Sequence, residues 1–397
     1  MKYYIVIFLS LLMTNFFGLT TINNTILLGL MIPFVIIEFS EKSIFKWYIV
    51  AVFIGLCLSI ISCYYFRGQS MLMTFKASVA YYYIFFYFVL KYLNLSIYKM
   101  EAALLILVII FCVSYIVQYI LFPRVIFAGV EDPNISADNI RIRLVGQGLS
   151  SFGYFFGLNK YLYNNKKLLH LFLAILCFGV IFLMGFRTML VMITIFTFLL
   201  IVRVKGFKWN ILLFSLLGCG LFIAMLQIPV FSEKLDSMLV RQQTEVLSNK
   251  DYIRVVQLKY FTHDHFKSFW EYIYGSGMTY STEQESSSYG RLMGRLPDIG
   301  IYWQDWGILG LSWMIGILAV ISMIAYSIKA FLLEVPVAYY YVGMWFIYLV
   351  ASSFTTMEFF RDGNFIVQSI ALYMVEKFYN EYKLGIEKDN LVQTVDI

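Results

Sequence analysis

Residues 298–311 read DIGIYWQDWGILGL, the point at which the one long polar interval of the chain, Pro229 to Leu311, runs back into an apolar span. Before that interval the chain is a succession of apolar runs separated by short polar turns. With 61% hydrophobic and 14% charged residues over 397 positions, it carries more apolar surface than a soluble core of this size needs. A bilayer core of ~30 Å takes about 20 apolar residues per helix, and irregular backbone cannot face lipid. The runs have helical length, so the expected fold is an all-α integral membrane protein with a large helical outer loop.

Twelve spans are expected, near 3–20, 24–40, 46–66, 72–93, 101–122, 147–163, 168–186, 188–203, 209–228, 299–327, 336–354 and 364–380. This divides the chain into a bundle at 1–228, the outer loop at 229–298, a second group of spans at 299–380 and a tail at 381–397. Lys2 ahead of an apolar run imitates a secretory signal, but no small-residue cleavage site follows Phe17 and Gly18, so the run is read as the first span. All five cysteines fall inside apolar runs, a pattern that predicts neither disulfides nor a zinc site.

Charge orients the bundle. Lys42, Lys46, Lys91, Lys99, Lys160, Lys166, Lys167, Lys205, Lys208, Lys329 and Lys383 all emerge on one side. By the preference of positive loops for the cytoplasm, that side and both termini are cytoplasmic. Ten of the eleven arginines fall on the opposite side, while fourteen of the nineteen lysines fall on the inner one. Orientation needs only positive charge; arginine adds a planar fork that binds carboxylate or phosphate with two parallel hydrogen bonds. The outer face therefore reads as anion-binding, with local pairing to Asp and Glu the plainer alternative for any one arginine. The outer loop itself is balanced, with eight Lys and Arg against nine Asp and Glu in residues 229–298, which excludes polyanion or nucleic-acid binding by net charge. It reads as short helices: one from Ser232 with Leu235, Met238, Leu239 and Val246, and one after Asp251 that puts Arg254, Leu258 and Phe261 on a face. No internal repeat points to a transporter built of halves.

Three groups of residues are suited to chemistry. Arg187 stands in FLMGFRTMLVM (Phe182 to Met192) at a turn so short that its guanidinium sits at the membrane surface; it either works on a ligand or snorkels outward. Arg254 precedes IYGSGMTY (Ile273 to Tyr280), where Gly275 and Gly277 allow a sharp turn or close approach of the backbone to a ligand. Pro297 and Asp298 read as the opening of a helix, which puts Asp298, Tyr302 and Asp305 at i, i+4 and i+7 on one face. Arg291 and Arg295 lie just upstream, and Arg141 and Arg143 sit in the outer loop after the fifth span. A carboxylate beside such arginines suits the removal of a proton from a sugar hydroxyl. His263 and His265 are an alternative base; at i, i+2 with no third ligand they read as a solvated loop, and no metal or other cofactor is expected.

In the order of these elements the chain resembles the O-antigen polymerase and ligase superfamily of membrane glycosyltransferases. The matching positions are Arg187 at a tight outer turn, Arg254 in the long loop, Gly275 with Gly277, and Asp298 nine positions ahead of Gly307, Ile308, Leu309 and Gly310, all within Phe182 to Leu311. The resemblance implies a metal-independent enzyme at the periplasmic face of the bacterial inner membrane, acting on undecaprenyl-pyrophosphate-linked oligosaccharide. It implies Asp298, Arg187 and Arg254 as catalytic residues and Gly275 and Gly277 as substrate-binding; Arg141, Arg143, Arg291, Arg295, Tyr302 and Asp305 are read as further substrate-binding residues from their own chemistry and placement. The family's ligases typically carry His followed by Asn where this chain has Asp298 and Ile299, which points to the polymerase branch, with a chain-length regulator as a possible partner beside membrane lipids. A ligase acting on lipid A core and a flippase that breaks no bonds are the alternatives.

Overall fold

The computed structural model describes residues 2–13, 24–127, 142, 144–163, 167–206, 253–280, 286–354 and 356–395. Among them the fold is all-helical. The first group comprises α1 (Lys2–Met13), α2 (Asn24–Phe39), α3 (Lys46–Ser62), α4 (Met71–Tyr82), α5 (Phe86–Leu93), α6 (Ile97–Leu121), α7 (Gly148–Tyr163), α8 (Leu168–Met184) and α9 (Arg187–Lys205). The polar interval supplies α10 (Ile253–Lys259), α11 (Phe269–Tyr274) and α12 (Ser288–Arg295), and the chain ends with α13 (Gly307–Ile315), α14 (Ile317–Leu332), α15 (Tyr340–Ser352) and α16 (Asn364–Val395). Four helical stretches, Lys46–Arg67, Met71–Leu93, Ile97–Leu121 and Arg187–Lys205, are long and apolar enough to cross a membrane. Five more apolar helices are shorter. The span expected at 209–228 and the helix expected from Ser232 lie outside the described residues.

Small residues let the helices approach. A Cβ on Gly157 of α7 would lie 2.7 Å from the His170 carbonyl oxygen of α8, and one on Gly55 of α3 would lie 2.7 Å from Ala319 of α14. Between helices in lipid, where no hydrophobic drive operates, such contact supplies the attraction.

The two ends of the bundle use different cations. At one end Lys91 pairs with Glu376 at 3.6 Å and Lys160 with Glu101 at 2.6 Å. At the other, Arg67 pairs with Glu271 at 2.5 Å and Arg361 with Glu358 at 2.6 Å. Arg203 lies at the lysine-bearing end, its guanidinium 4.4 Å from the ring centres of both Phe331 and Tyr340, and Lys267 lies at the arginine-bearing one, its Nζ donating to Phe66 O at 3.2 Å.

The span expected as one helix over 299–327 is broken, which also removes the shared face of Asp298, Tyr302 and Asp305. Pro297–Ile299 is a single 3₁₀ turn, closed by Gly300 at φ 75°. Trp303–Trp306 is a second, and α13 starts only at Gly307. A further break at Gly316, φ 86°, separates α13 from α14. There the outer interval takes over the helix's hydrogen bonds: Ser276 N–H donates to Trp313 O and Gly277 N–H to Met314 O, each at 2.8 Å. A Cβ on Gly277 would lie 2.3 Å from that of Cys63, and one on Gly316 would lie 2.6 Å from Tyr274 O.

Gly277→Ala and Gly316→Ala are accordingly expected to destabilise the fold, since the left-handed backbone alone costs an L side chain roughly 1–2 kcal/mol and the contact adds to it. Gly294→Ala, in α12 with nothing within 4 Å of its Cβ, is the neutral control. Thermal unfolding of the detergent-purified protein checks this: the first two lower the apparent Tm by several degrees, the third does not.

Candidate functional site

The arginine-bearing end is organised around a buried pair. α3 runs on as a π-helical turn, Cys63–Arg67, which carries the Arg67 side chain under the polar interval. Arg67 Nε donates to Glu271 Oε1 at 2.5 Å, its Nη2 donates to His265 O, and its guanidinium lies 5.1 Å from the ring centre of Tyr289. Glu271 is wholly buried, and its second oxygen accepts from Lys267 N–H at 2.6 Å. One fork thus satisfies α11 and the loop before it at once, which makes such burial tolerable. Beneath it, His265 Nε2 lies 3.0 Å from Ser276 Oγ, which accepts from the Tyr289 hydroxyl at 2.9 Å. His265 is therefore part of the core, contrary to the solvated loop expected of THDHF, while His263 is exposed. Burial and the Arg67 charge push the His265 imidazole down to about 3.

A second connection brings α10 to the turn that follows Asp298. Gln257, buried on α10, donates from Nε2 to Gly300 O at 2.8 Å and to Asp305 Oδ2 at 3.1 Å. Arg254 is one turn earlier on the same helix, half-buried, so its helix is fixed against the Gly300–Asp305 segment. Asp298 is exposed, and Tyr302 donates from its hydroxyl to Pro297 O at 3.3 Å. Further on, Trp303 stacks on Phe360 with ring centres 5.3 Å apart, and Ile308 N–H donates to Ser353 O at 2.7 Å. In that last loop the Arg361 guanidinium lies 4.9 Å from the ring centre of Phe186, the residue before Arg187.

Side-chain contacts and chain neighbours in turn link the Arg254 helix through Asp305, Trp303, Phe360 and Arg361 to the Arg187 turn. Arg291 and Arg295 are exposed on α12, where Arg291 Nη1 donates to Ser286 O at 3.1 Å. Gly275 and Gly277 approach protein rather than leaving room for a ligand: a Cβ on Gly275 would lie 2.4 Å from Met314 O. Arg141 and Arg143 lie outside the described residues. Among the described residues no group of three His, Cys, Asp or Glu is placed to hold a metal ion. A groove lined by Lys2, Tyr3, Asn94, Tyr98 and Lys99 opens at the lysine-bearing end, away from this rim.

Sequence reasoning passed over Arg67, Glu271, Gln257, Glu358 and Arg361. The signal for Gln257 was present, three positions from Arg254 and so on its face; Glu358 and Arg361 stand at i, i+3 in a short loop between two apolar runs. Comparison of the chain with family models, with curated proteins and with solved structures finds no match.

The depressed His265 makes docking of the interval pH-dependent, in a direction that follows from proton binding. Undocked, His265 regains an ordinary imidazole and takes up a proton below about pH 6.5, whereas the docked form resists it down to about 3. Docking is thus at full strength above about 6.5 and weakens about tenfold per pH unit below it, close to a hundredfold by pH 4.5. Hydrogen exchange of the 265–277 amides should quicken to that extent between pH 7.5 and 4.5 after correction for intrinsic rates, and His265→Gln should remove that part of the dependence.

Proposed function

We propose that this chain is a membrane glycosyltransferase of the polymerase type, joining undecaprenyl-pyrophosphate-linked oligosaccharide units by inverting transfer. In this reading it crosses the bacterial inner membrane about twelve times, with both termini in the cytoplasm and the arginine-bearing end in the periplasm. The observation that carries the reading is the connected rim: the Arg187 turn, the Arg254 helix and the Asp298–Asp305 segment share one end of the bundle, joined through Gln257 and the Trp303–Phe360 stack.

The chemistry suits those residue types. A pyrophosphate leaves readily when its developing charge is met by preorganised donors in a partly dry site. Arg187 and Arg254 hold the donor's pyrophosphate, and their planar forks match its oxygens. Asp298, exposed beside the rim, accepts the proton of the attacking hydroxyl of the acceptor unit. That hydroxyl oxygen bonds to the anomeric carbon as the bond to the pyrophosphate oxygen breaks, and attack from the opposite face inverts the centre. Tyr302, Asp305, Arg291 and Arg295 line the approach of the two glycans. The balanced charge of the interval fits a ligand whose sugars outnumber its phosphates.

Purified protein with one lipid-linked repeat unit should yield a ladder of products with no core acceptor added. Product that forms only when lipid A core is supplied assigns the ligase reaction instead, and no product in either case rejects glycosyl transfer. Arg187→Lys is expected to insert and fold normally but to lower ladder formation about a hundredfold, the scale on which removing one oriented donor acts, because an ammonium keeps the charge without the fork.

A further inference from the structure

The last connecting loop contributes two buried charges that none of the roles above uses. Glu358 is wholly buried and Arg361 keeps 7% exposure, and the two pair at 2.6 Å. The loop around them is tied at several points: Asn364 Nδ2 donates to Glu358 O, Phe359 N–H to Ser353 Oγ at 2.7 Å, and Gln368 Nε2 to Phe359 O at 2.6 Å. Neighbouring backbone is engaged as well, since Gly146 N–H donates to Asp362 O at 3.1 Å and Gly148 N–H to Asn364 Oδ1 at 3.0 Å. Arg361 is thus a fixed post.

The other partner of the guanidinium sits in the short link between two helices. Gly185 ends α8 at φ 73°, and Phe186 directly precedes α9 at Arg187. A turn of two residues between two helices can rock on its neighbours. The planar face of Arg361 against the Phe186 ring opposes that motion, by an attraction that grows when both groups are out of water. Glu358 neutralises the post, so that it holds the ring without adding a bare charge beside Arg187.

We propose that Arg361, held by Glu358, is a positioning residue for Arg187: it clasps Phe186 and so fixes the turn from which Arg187 reaches the donor's pyrophosphate. The catalytic consequence rests on the functional reading above; the geometric claim does not.

Two substitutions of Phe186 separate positioning from mere filling. Phe186→Tyr keeps an aromatic face, whereas Phe186→Leu keeps apolar bulk and loses it. In the ladder assay Phe186→Leu is expected to lower kcat about tenfold with the KM for the lipid-linked donor changed less than about threefold, because Arg254 still holds the ground state. Phe186→Tyr stays within about twofold of wild type on the same measures. A wild-type kcat for the leucine variant, an equal loss in both variants, or a loss that follows the amount of folded protein recovered overturns the proposal. A second readout needs no chemistry. With Thr188→Cys in each background, labelling by a membrane-impermeant maleimide, quantified at residue 188 by mass spectrometry, should quicken about fivefold for leucine and not for tyrosine, as expected of a turn that opens more often. Equal labelling in the two overturns the positional claim. Quickened labelling in a protein whose wild type makes no ladder keeps that claim and removes the glycosyltransferase reading alone.

Discussion

A helix cut within an apolar span leaves carbonyl groups that water cannot reach, and in hydrocarbon each such group costs several kcal/mol unless it finds a donor. The span from Gly307 to Leu332 is cut at Gly316, and the groups at stake are the carbonyls of Trp313 and Met314. Their donors are the N–H groups of Ser276 and Gly277, some forty residues earlier in the polar interval. The break and the docked interval therefore require one another. Straightening the helix would strand the N–H groups of Ser276 and Gly277, and lifting the interval would strand the carbonyls. The Arg67–Glu271 pair acts beside this joint, carrying the end of α3 to the same few residues, so that three elements distant in sequence meet at one seam.

That seam decides what the outer interval can do. A long polar segment tethered only at its ends could present Arg254 anywhere within reach of its linkers, and the cost of ordering it would fall on every binding event. Here α10 is held by Gln257 and the loop after α11 by backbone bonds to α13, so these described parts of the interval are fixed against the bundle. Groups held on packed helices are the ones that keep a productive geometry. The aromatic stack of Trp303 on Phe360 extends the same rigidity to the last loop.

The apolar runs and their helical character were legible in the sequence because hydropathy is a property of short segments. What was not legible depends on partners. Gly316 stands in an unbroken apolar run, and nothing local says that the helix stops there; the reason lies in residues 274–277. Gly275 and Gly277 did announce a close approach, but not to what, and their neighbour is backbone rather than ligand. Pro297 and Asp298 have the chemistry of a helix start, yet Gly300 closes that turn after three residues, which puts Tyr302 and Asp305 on separate segments. His265 looked solvated because it and His263, two positions apart, share no helix face and have no third ligand nearby; its burial comes from Arg67 and Ser276, which are far away or across a turn.

The separation of the two cations acquires a physical meaning once depth is considered. Lys91 and Lys160, paired with glutamates at one end, keep 14% and 16% of their side-chain exposure, as a compact and strongly hydrated ammonium requires. Arg67 and Arg361 keep 3% and 7%, because a planar fork meets a carboxylate and lays its face on a ring at the same time. Arginine thus allows the far end of the bundle to be tied together from inside. It also sorts the outer arginines by what they face. The two that are buried already have carboxylates and rings as partners, and a pyrophosphate could reach them only by displacing both. Arg187 and Arg254 are half-buried on helix ends, Arg124 is exposed after α6, and Arg291 and Arg295 are exposed on α12, so among the described residues these five outer arginines keep access to solvent. The buried pairs set the frame, and the accessible forks stand on it at distances the frame dictates. A change in the frame is therefore felt at the accessible arginines without any contact between it and the ligand.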